Sequence, residues 1–160
     1  MLKKIASRIA LLAVITVGFS SCEKDEDDPN FDFRDEYVGD WNAQFTSDEF
    51  GVQTYTVSIS KSDSDADQIL IANFYNLGTA ESVVVNASDN DLLISSQTVK
   101  DNTIEGTGLS TANYDQINFT YTAFDGAVTD NVTAVYVKAG GRLPWEIDPK
   151  VIEVSASSKK

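Results

Sequence analysis

What most constrains this chain is how little separates its apolar stretches. From residue 39 onward, short alternating or β-branched runs recur roughly every dozen residues, with turn-forming residues between them and no helical periodicity. Eight runs read as strands: Gly39–Ser47, Val52–Ser60, Gln68–Tyr75, Ser82–Ala87, Asp91–Gln97, Thr103–Leu109, Gln116–Phe124 and Asn131–Lys138. Linkers such as Asp48-Glu49-Phe50-Gly51, Asn76-Leu77-Gly78, Ser88-Asp89-Asn90, Lys100-Asp101-Asn102 and Asp125-Gly126 are turn sequences. They are too short for a parallel crossover, which takes about a dozen residues or more, so they join antiparallel neighbours. The expected fold is all-β: an eight-stranded antiparallel up-and-down barrel, whose closure removes exposed edges. A β-sandwich is the alternative; it needs a long crossing connection, and only Lys61 to Asp67 approaches that length.

Alternation assigns the faces. Ile117, Phe119, Tyr121 and Ala123 share one side of their strand, with Gln116, Asn118, Thr120 and Thr122 on the other. Trp41, Ala43 and Phe45 likewise oppose Asp40, Asn42 and Gln44, so both strands read as half-buried. Trp41, Phe45, Tyr55, Val57, Ile59, Ile117, Phe119 and Tyr121 are the candidate ligand-binding lining of the barrel. An eight-stranded barrel is at the size where side chains either fill the interior or leave room for one small ligand. Both outcomes stay open in the sequence.

The first residues carry an address. Lys3, Lys4 and Arg8 precede an apolar run from Ile9 to Phe19, which ends in Ser20 and Ser21 before Cys22. This reads as a secretory signal peptide over residues 1–21; the apolar run is about half of what a membrane-spanning helix requires. Small residues before a cysteine resemble the lipobox of bacterial lipoproteins, in which the cysteine is acylated with palmitate-type chains and becomes the new N-terminus. Phe19 stands where Leu is commonest in that motif. Residues 22–34 read as an acidic, solvated tether. Within it, Lys24 followed by Asp25, Glu26, Asp27 and Asp28 resembles the export signal of Bacteroidota-type surface lipoproteins. The expected location is the outer membrane, lipid-anchored through Cys22 and facing the cell surface, with retention on the periplasmic side as the alternative.

Charge and composition narrow the chemistry. The chain has 25 acidic and 12 basic residues, and loss of Lys3, Lys4 and Arg8 with the leader makes the remainder more acidic still. Such a surface repels polyanions, so nucleic acid is not an expected partner. It also offers anionic lipid no grip, which leaves the acylated cysteine as the membrane anchor. With no histidine and a single cysteine, there is no imidazole nucleophile or metal ligand, no disulfide and no paired-thiol redox site.

The entry to the first strand, Tyr37-Val38-Gly39-Asp40-Trp41, is similar to the Gly-x-Trp signature of lipocalins. Together with Asn73-Phe74-Tyr75-Asn76-Leu77-Gly78, and with Asp125-Gly126 followed by Thr129 to Ala134, it resembles a group of small lipocalin-like lipoproteins from Bacteroidota. The resemblance covers residues 35–138 and implies a calycin-type barrel, with the tryptophan closing one end and ligand binding by analogy. Lipocalins carry a helix after the eighth strand; here residues 139–160 show none. That segment holds Leu143, Trp145, Ile147, Val151, Ile152 and Val154, and is expected to pack on the barrel end as a plug or extra edge strand.

Other candidates weigh less. Asp63, Asp65 and Asp67 alternate as hard oxygen ligands would in a weak calcium loop, but Gln68 and Phe74 stand where an EF-hand needs Gly and Glu. A solvated acidic loop is the simpler reading. Glu105, the best carboxylate embedded in a strand, shares its face with Thr103 and Thr107 and should point outward. Asn86, Asn118 and Asn131 match a glycosylation pattern that a bacterial protein has no use for. The expectation is a non-enzymatic lipoprotein without a cofactor, binding a small apolar or glycan-derived ligand in the barrel mouth. The alternative is a filled barrel that serves as a structural or interaction module and contacts another envelope protein.

Overall fold

The computed structural model describes residues 31–140. The expected leader, Cys22, most of the expected tether and the extension from residue 141 lie outside the described residues. Eight strands follow one another: β1 (Gly39–Ser47), β2 (Gly51–Lys61), β3 (Gln68–Ala72), β4 (Ser82–Ser88), β5 (Asp91–Val99), β6 (Asn102–Ser110), β7 (Gln116–Phe124) and β8 (Thr129–Lys138). Each pairs antiparallel with the next, and β8 returns to β1 through the register Trp41↔Lys138 to Ser47↔Val132. The sheet is a closed up-and-down barrel, and the sandwich is excluded because no strand pairs out of order.

Burial follows the pleat. Along β7 the pattern alternates strictly from Ile117 to Ala123, and β8 buries Asp130, Val132, Ala134 and Tyr136 in the same rhythm. The inward side chains of all eight strands meet in one core, which includes Trp41, Phe45, Ile59, Ile71, Ile104, Phe119 and Tyr136. Each fully buried aromatic or branched side chain contributes about 1.5–3 kcal/mol by leaving water.

Two local devices let eight strands close. Gly106 and Gly108 occupy inward positions of β6 where the sheet is bent tightly; a Cβ on Gly106 would overlap Thr120 O and Tyr121 Cβ of β7. On the other side of β5, β4 contributes only three backbone pairs, Asn86↔Leu93 to Ser88↔Asp91, and β5 then changes register between Ile94 and Gln97. There the Gln97 amide takes the place of a strand. It accepts from Val84 N at 2.9 Å and donates to Val84 O at 2.7 Å, satisfying an edge that would otherwise stand open.

Because the strands run up and down in sequence, the β1–β2, β3–β4, β5–β6 and β7–β8 connections share one end, here called the mouth. The chain enters β1 and leaves β8 at the other. That end is sealed. Asp32 caps a 3-10 helix over Phe33–Glu36, and the Arg34 guanidinium donates to the carbonyls of Ser62, Asp65 and Gln68 across the β2–β3 connection. The Arg34 guanidinium, hydrogen-bonded to Asp32, holds that carboxyl well below the usual range. Asp32 to Arg34, expected to end the acidic tether, therefore belong to the folded unit. Trp41 is fully buried just inside, its Nε1 donating to Tyr37 O at 2.8 Å, with the Lys138 ammonium 5.7 Å from the centre of its ring.

Candidate functional site

The mouth is built around a break in β3. The mainly apolar segment Gln68 to Tyr75 reads as one strand, but pairing stops at Ala72, and Asn73 turns left-handed with φ 62°. Asn73 holds this turn with its own amide, donating to Thr56 O at 2.8 Å and accepting from Gly78 N at 2.9 Å. The chain then folds inward as a short 3-10 turn, Phe74–Asn76, in which Tyr75 and Asn76 also have positive φ. Asparagine tolerates that region; a tyrosine at φ 54°, ψ 24° is strained, by about 1–3 kcal/mol.

The strain is offset by what the turn inserts. Phe74 enters the lumen and packs on Phe119, Tyr121 and Tyr136, with ring centroids 5.7, 4.7 and 6.1 Å away. Tyr75 lies against Phe45 and Tyr121, and its hydroxyl donates to Asp130 Oδ2 at 2.6 Å. Asp130 is buried, accepting also from Ser47 Oγ at 2.5 Å and Glu49 N at 3.1 Å. Burial pushes its carboxyl up, but the hydrogen bonds from Ser47, Tyr75 and the backbone outweigh that and hold it below the ordinary aspartate value. The Tyr75 phenol is driven far above its ordinary value, by burial first, then by its hydrogen bond to Asp130 and by the Asp130 charge.

Above the plug lies a cleft of about 300 Å3. Phe45, Phe50, Tyr75 and Leu77 make its apolar floor, and Glu49, Gln53, Asn76, Asn102 and Asp125 contribute amides and carboxylates. Phe50 is 52% exposed, which presents an aromatic face to solvent at the rim. Among the exposed large apolar residues, Val52, Phe124 and Val128 lie on the hairpins of the same end.

All eight residues expected to line the barrel point inward. Trp41, Phe45, Val57, Ile59, Ile117, Phe119 and Tyr121 are buried in the core, and Tyr55 is partly buried against it. They are packed against one another and against Phe74, so the lumen is filled; of the eight, Phe45 alone borders the cleft. Asp63, Asp65 and Asp67 are exposed and do not converge. Asp65 Oδ1 instead accepts from Asp67 N at 3.0 Å, and among the described residues no group of three or more Asp, Glu, Cys or His side chains is placed to hold a metal ion. Glu105 points outward, as its strand register requires. No helix among the described residues is long and apolar enough to cross a membrane.

A second hollow, of about 690 Å3, lies mainly on the outside of the barrel where β6 bends. Its axis is a cross-strand row: Leu93 opposite Thr107, Thr107 opposite Thr120, Thr120 opposite Thr133, and Thr133 opposite Thr46.

Sequence reasoning missed Phe74, Tyr75, Asp130 and Tyr136 as site residues. The available signal was the Asn73–Asn76–Gly78 spacing, which brackets an aromatic pair with residues that tolerate positive φ.

No family model matches the chain, and no curated protein matches it either. Among solved structures, a redesigned β-barrel is similar at a TM-score of 0.45 and 13% identity, over 67% of this chain and 95% of that one.

Proposed function

We propose that the protein is a lipocalin-like lipoprotein of the outer membrane, anchored through acylated Cys22, that binds a small apolar or glycan-derived ligand at the barrel mouth. The observation that carries this reading is the cleft of about 300 Å3, in which an aromatic floor is ringed by carboxylates and amides. Ligand sites combine mostly apolar walls with a few placed polar groups, and sugars in particular use aromatic faces together with carboxylate and amide hydrogen bonds. The topology supports it as well. The described chain enters β1 at the end opposite this cleft.

A second reading is supported by the filled lumen: a structural or interaction module that contacts an envelope protein through its loops. Native mass spectrometry of the protein extracted from its own cell envelope separates the two. A small co-purifying mass supports the ligand reading, and a bare acylated chain held to another protein supports the second. Cys22→Ala should move the protein from the membrane to the soluble fraction; continued membrane association contradicts the anchor.

A further inference from the structure

The cleft at the mouth joins two kinds of surface, and a neutral ligand would use only one of them. Its floor is aromatic: Phe45 and Phe50 both lie against Tyr75, with ring centroids 5.6 and 6.1 Å from it. Its rim carries the carboxylates of Glu49 and Asp125, and no described lysine or arginine lines it. At about 300 Å3 the cleft is at the small end of ligand sites, so one small molecule spans floor and rim.

Both carboxylates are positioned by backbone bonds. Asp125 Oδ1 accepts from Val128 N at 2.7 Å and Ala127 N at 2.8 Å, which fixes the side chain on the β7–β8 turn and holds its carboxyl below the ordinary aspartate value. Glu49 is placed by its own N–H, which donates to Ser47 Oγ and to buried Asp130 Oδ1, each at 3.1 Å. Their charges converge on the floor. After burial and the bond to Asp130, the charges of Asp130, Glu49 and Asp125 all act to raise the Tyr75 phenol, so the floor lies in a field of one sign. Little at the mouth offsets that field. Asp48, Glu81 and Asp101 stand in its connections too, against one described cation, Lys100, whose ammonium donates to Leu77 O at 2.7 Å. Arg34, Lys61 and Lys138 are bonded at the sealed end.

We propose that the cleft selects an organic ammonium compound: a primary amine on a small aromatic or alkyl body, with the body on the floor of Phe45, Phe50, Tyr75 and Leu77 and the ammonium at the rim with Glu49 and Asp125. The inference rests on the reading of the cleft as the ligand site and deepens it by naming the charge that the ligand carries. An ammonium gains from both halves of the cleft. Aromatic faces attract a cation through the ring quadrupole, and a primary ammonium brings three donors for carboxylate and amide oxygens. Gln53, Asn76 and Asn102 add such amide oxygens around the floor. A carboxylate ligand meets repulsion from the same field, and a neutral ring compound gains the floor alone.

The test is a titration of the full chain at about pH 7, followed by 1H–15N NMR, with three probes: phenethylamine, 2-phenylethanol and 3-phenylpropanoate. They carry a cation, a neutral hydroxyl and an anion on the same phenylethyl body. Phenethylamine should bind at least fivefold more tightly than either of the others and shift the amides of Phe50, Tyr75, Asn76 and Asn102. Raising salt from about 20 mM to about 500 mM should weaken it at least threefold and leave 2-phenylethanol unchanged, because the rim charges are screened. Glu49→Gln and Asp125→Asn, which keep side-chain size, should each weaken phenethylamine at least threefold without changing 2-phenylethanol, and Glu49→Gln carries the test if Asp125→Asn disturbs its turn. Equal affinity for phenethylamine and 2-phenylethanol, tighter binding of 3-phenylpropanoate, or indifference to both substitutions overturns the proposal and leaves the cleft standing as a ligand site. If none of the three probes shifts the cleft amides, the proposal falls and the reading of the cleft falls with it.

Discussion

Tyr75 and Asp130 meet across the mouth, a phenol from the β3–β4 connection donating at 2.6 Å to a buried carboxylate at the start of β8. This bond ties the plug to the wall, and Asp130 is the only buried charged residue among the described ones. Hydrogen bonds to a charged group contribute about 1.5–3 kcal/mol, so Tyr75→Phe should lower stability in urea by that amount. Tyr75→Phe combined with Asp130→Asn should cost less than the sum of the two single changes. Strict additivity would show that the two residues are not coupled.

Acid should weaken the same tie. The Asp130 carboxyl has a folded-state pKa below its unfolded value of about 3.9, so its contribution is complete above that value and is lost as pH falls through the folded pKa. Stability of the native protein should therefore drop more steeply below about pH 4 than that of Asp130→Asn, measured by urea unfolding at a series of pH values. Parallel profiles would contradict the assignment.

Alkali acts in the opposite sense. All six tyrosines, Tyr37, Tyr55, Tyr75, Tyr114, Tyr121 and Tyr136, have raised folded-state pKa values, burial being the first cause in each. Tyr37 and Tyr55 are pushed up to about 12, and the other four are also raised well above the ordinary value. Their contribution is complete below the unfolded value of about 10 and is lost as pH rises beyond it. Absorbance of tyrosinate should stay flat through pH 10 and then rise together with loss of the near-ultraviolet circular dichroism. Independent ionisation of two or more tyrosines near pH 10 in the folded protein would contradict the packing described.

Removing a poorly bonded buried hydroxyl should help rather than harm. Tyr136→Phe keeps the ring against Phe119 and removes a buried oxygen that makes no hydrogen bond of good geometry, so stability should rise by about 1 kcal/mol. A fall of that size would mean that the hydroxyl is bonded in solution.

Gly106→Ala should be costly for a different reason. The added methyl would meet the β7 backbone at Thr120 and Tyr121, and neither can yield without opening the β6–β7 ladder. A loss of about 1–3 kcal/mol is expected from thermal unfolding, against a small change for Gly126→Ala, whose Cβ meets nothing within 4 Å and carries only the cost of its positive φ.

The barrel was legible because alternation survives in nearly every strand: Ile117, Phe119 and Tyr121 could face only one way, and linkers such as Asp125-Gly126 could join only neighbours. The plug was not legible from pattern. Gln68 to Tyr75 carries apolar residues on both sides of Asn73 and so reads as one strand, and the left-handed turn at Asn73 that ends β3 is fixed by Thr56 and Gly78, which periodicity does not register. Asp130 was hidden for a similar reason. An aspartate beside Thr129 and Asn131 looks solvated, and its partners Tyr75 and Ser47 lie 55 and 83 residues away in the chain. The sealed end was partly visible through Gly39-Asp40-Trp41, whereas the role of Arg34 depends on three carbonyls from one distant loop.

Ligand binding at the mouth is tested most directly by comparing amide NMR spectra of protein extracted natively from its cell envelope with the same protein unfolded, washed and refolded. The account predicts differences concentrated at Phe45, Phe50, Tyr75, Leu77 and Asn102, with the sealed end around Trp41 unchanged, and a return to the native spectrum when the washed-off extract is added back. Superimposable spectra before and after stripping would contradict it.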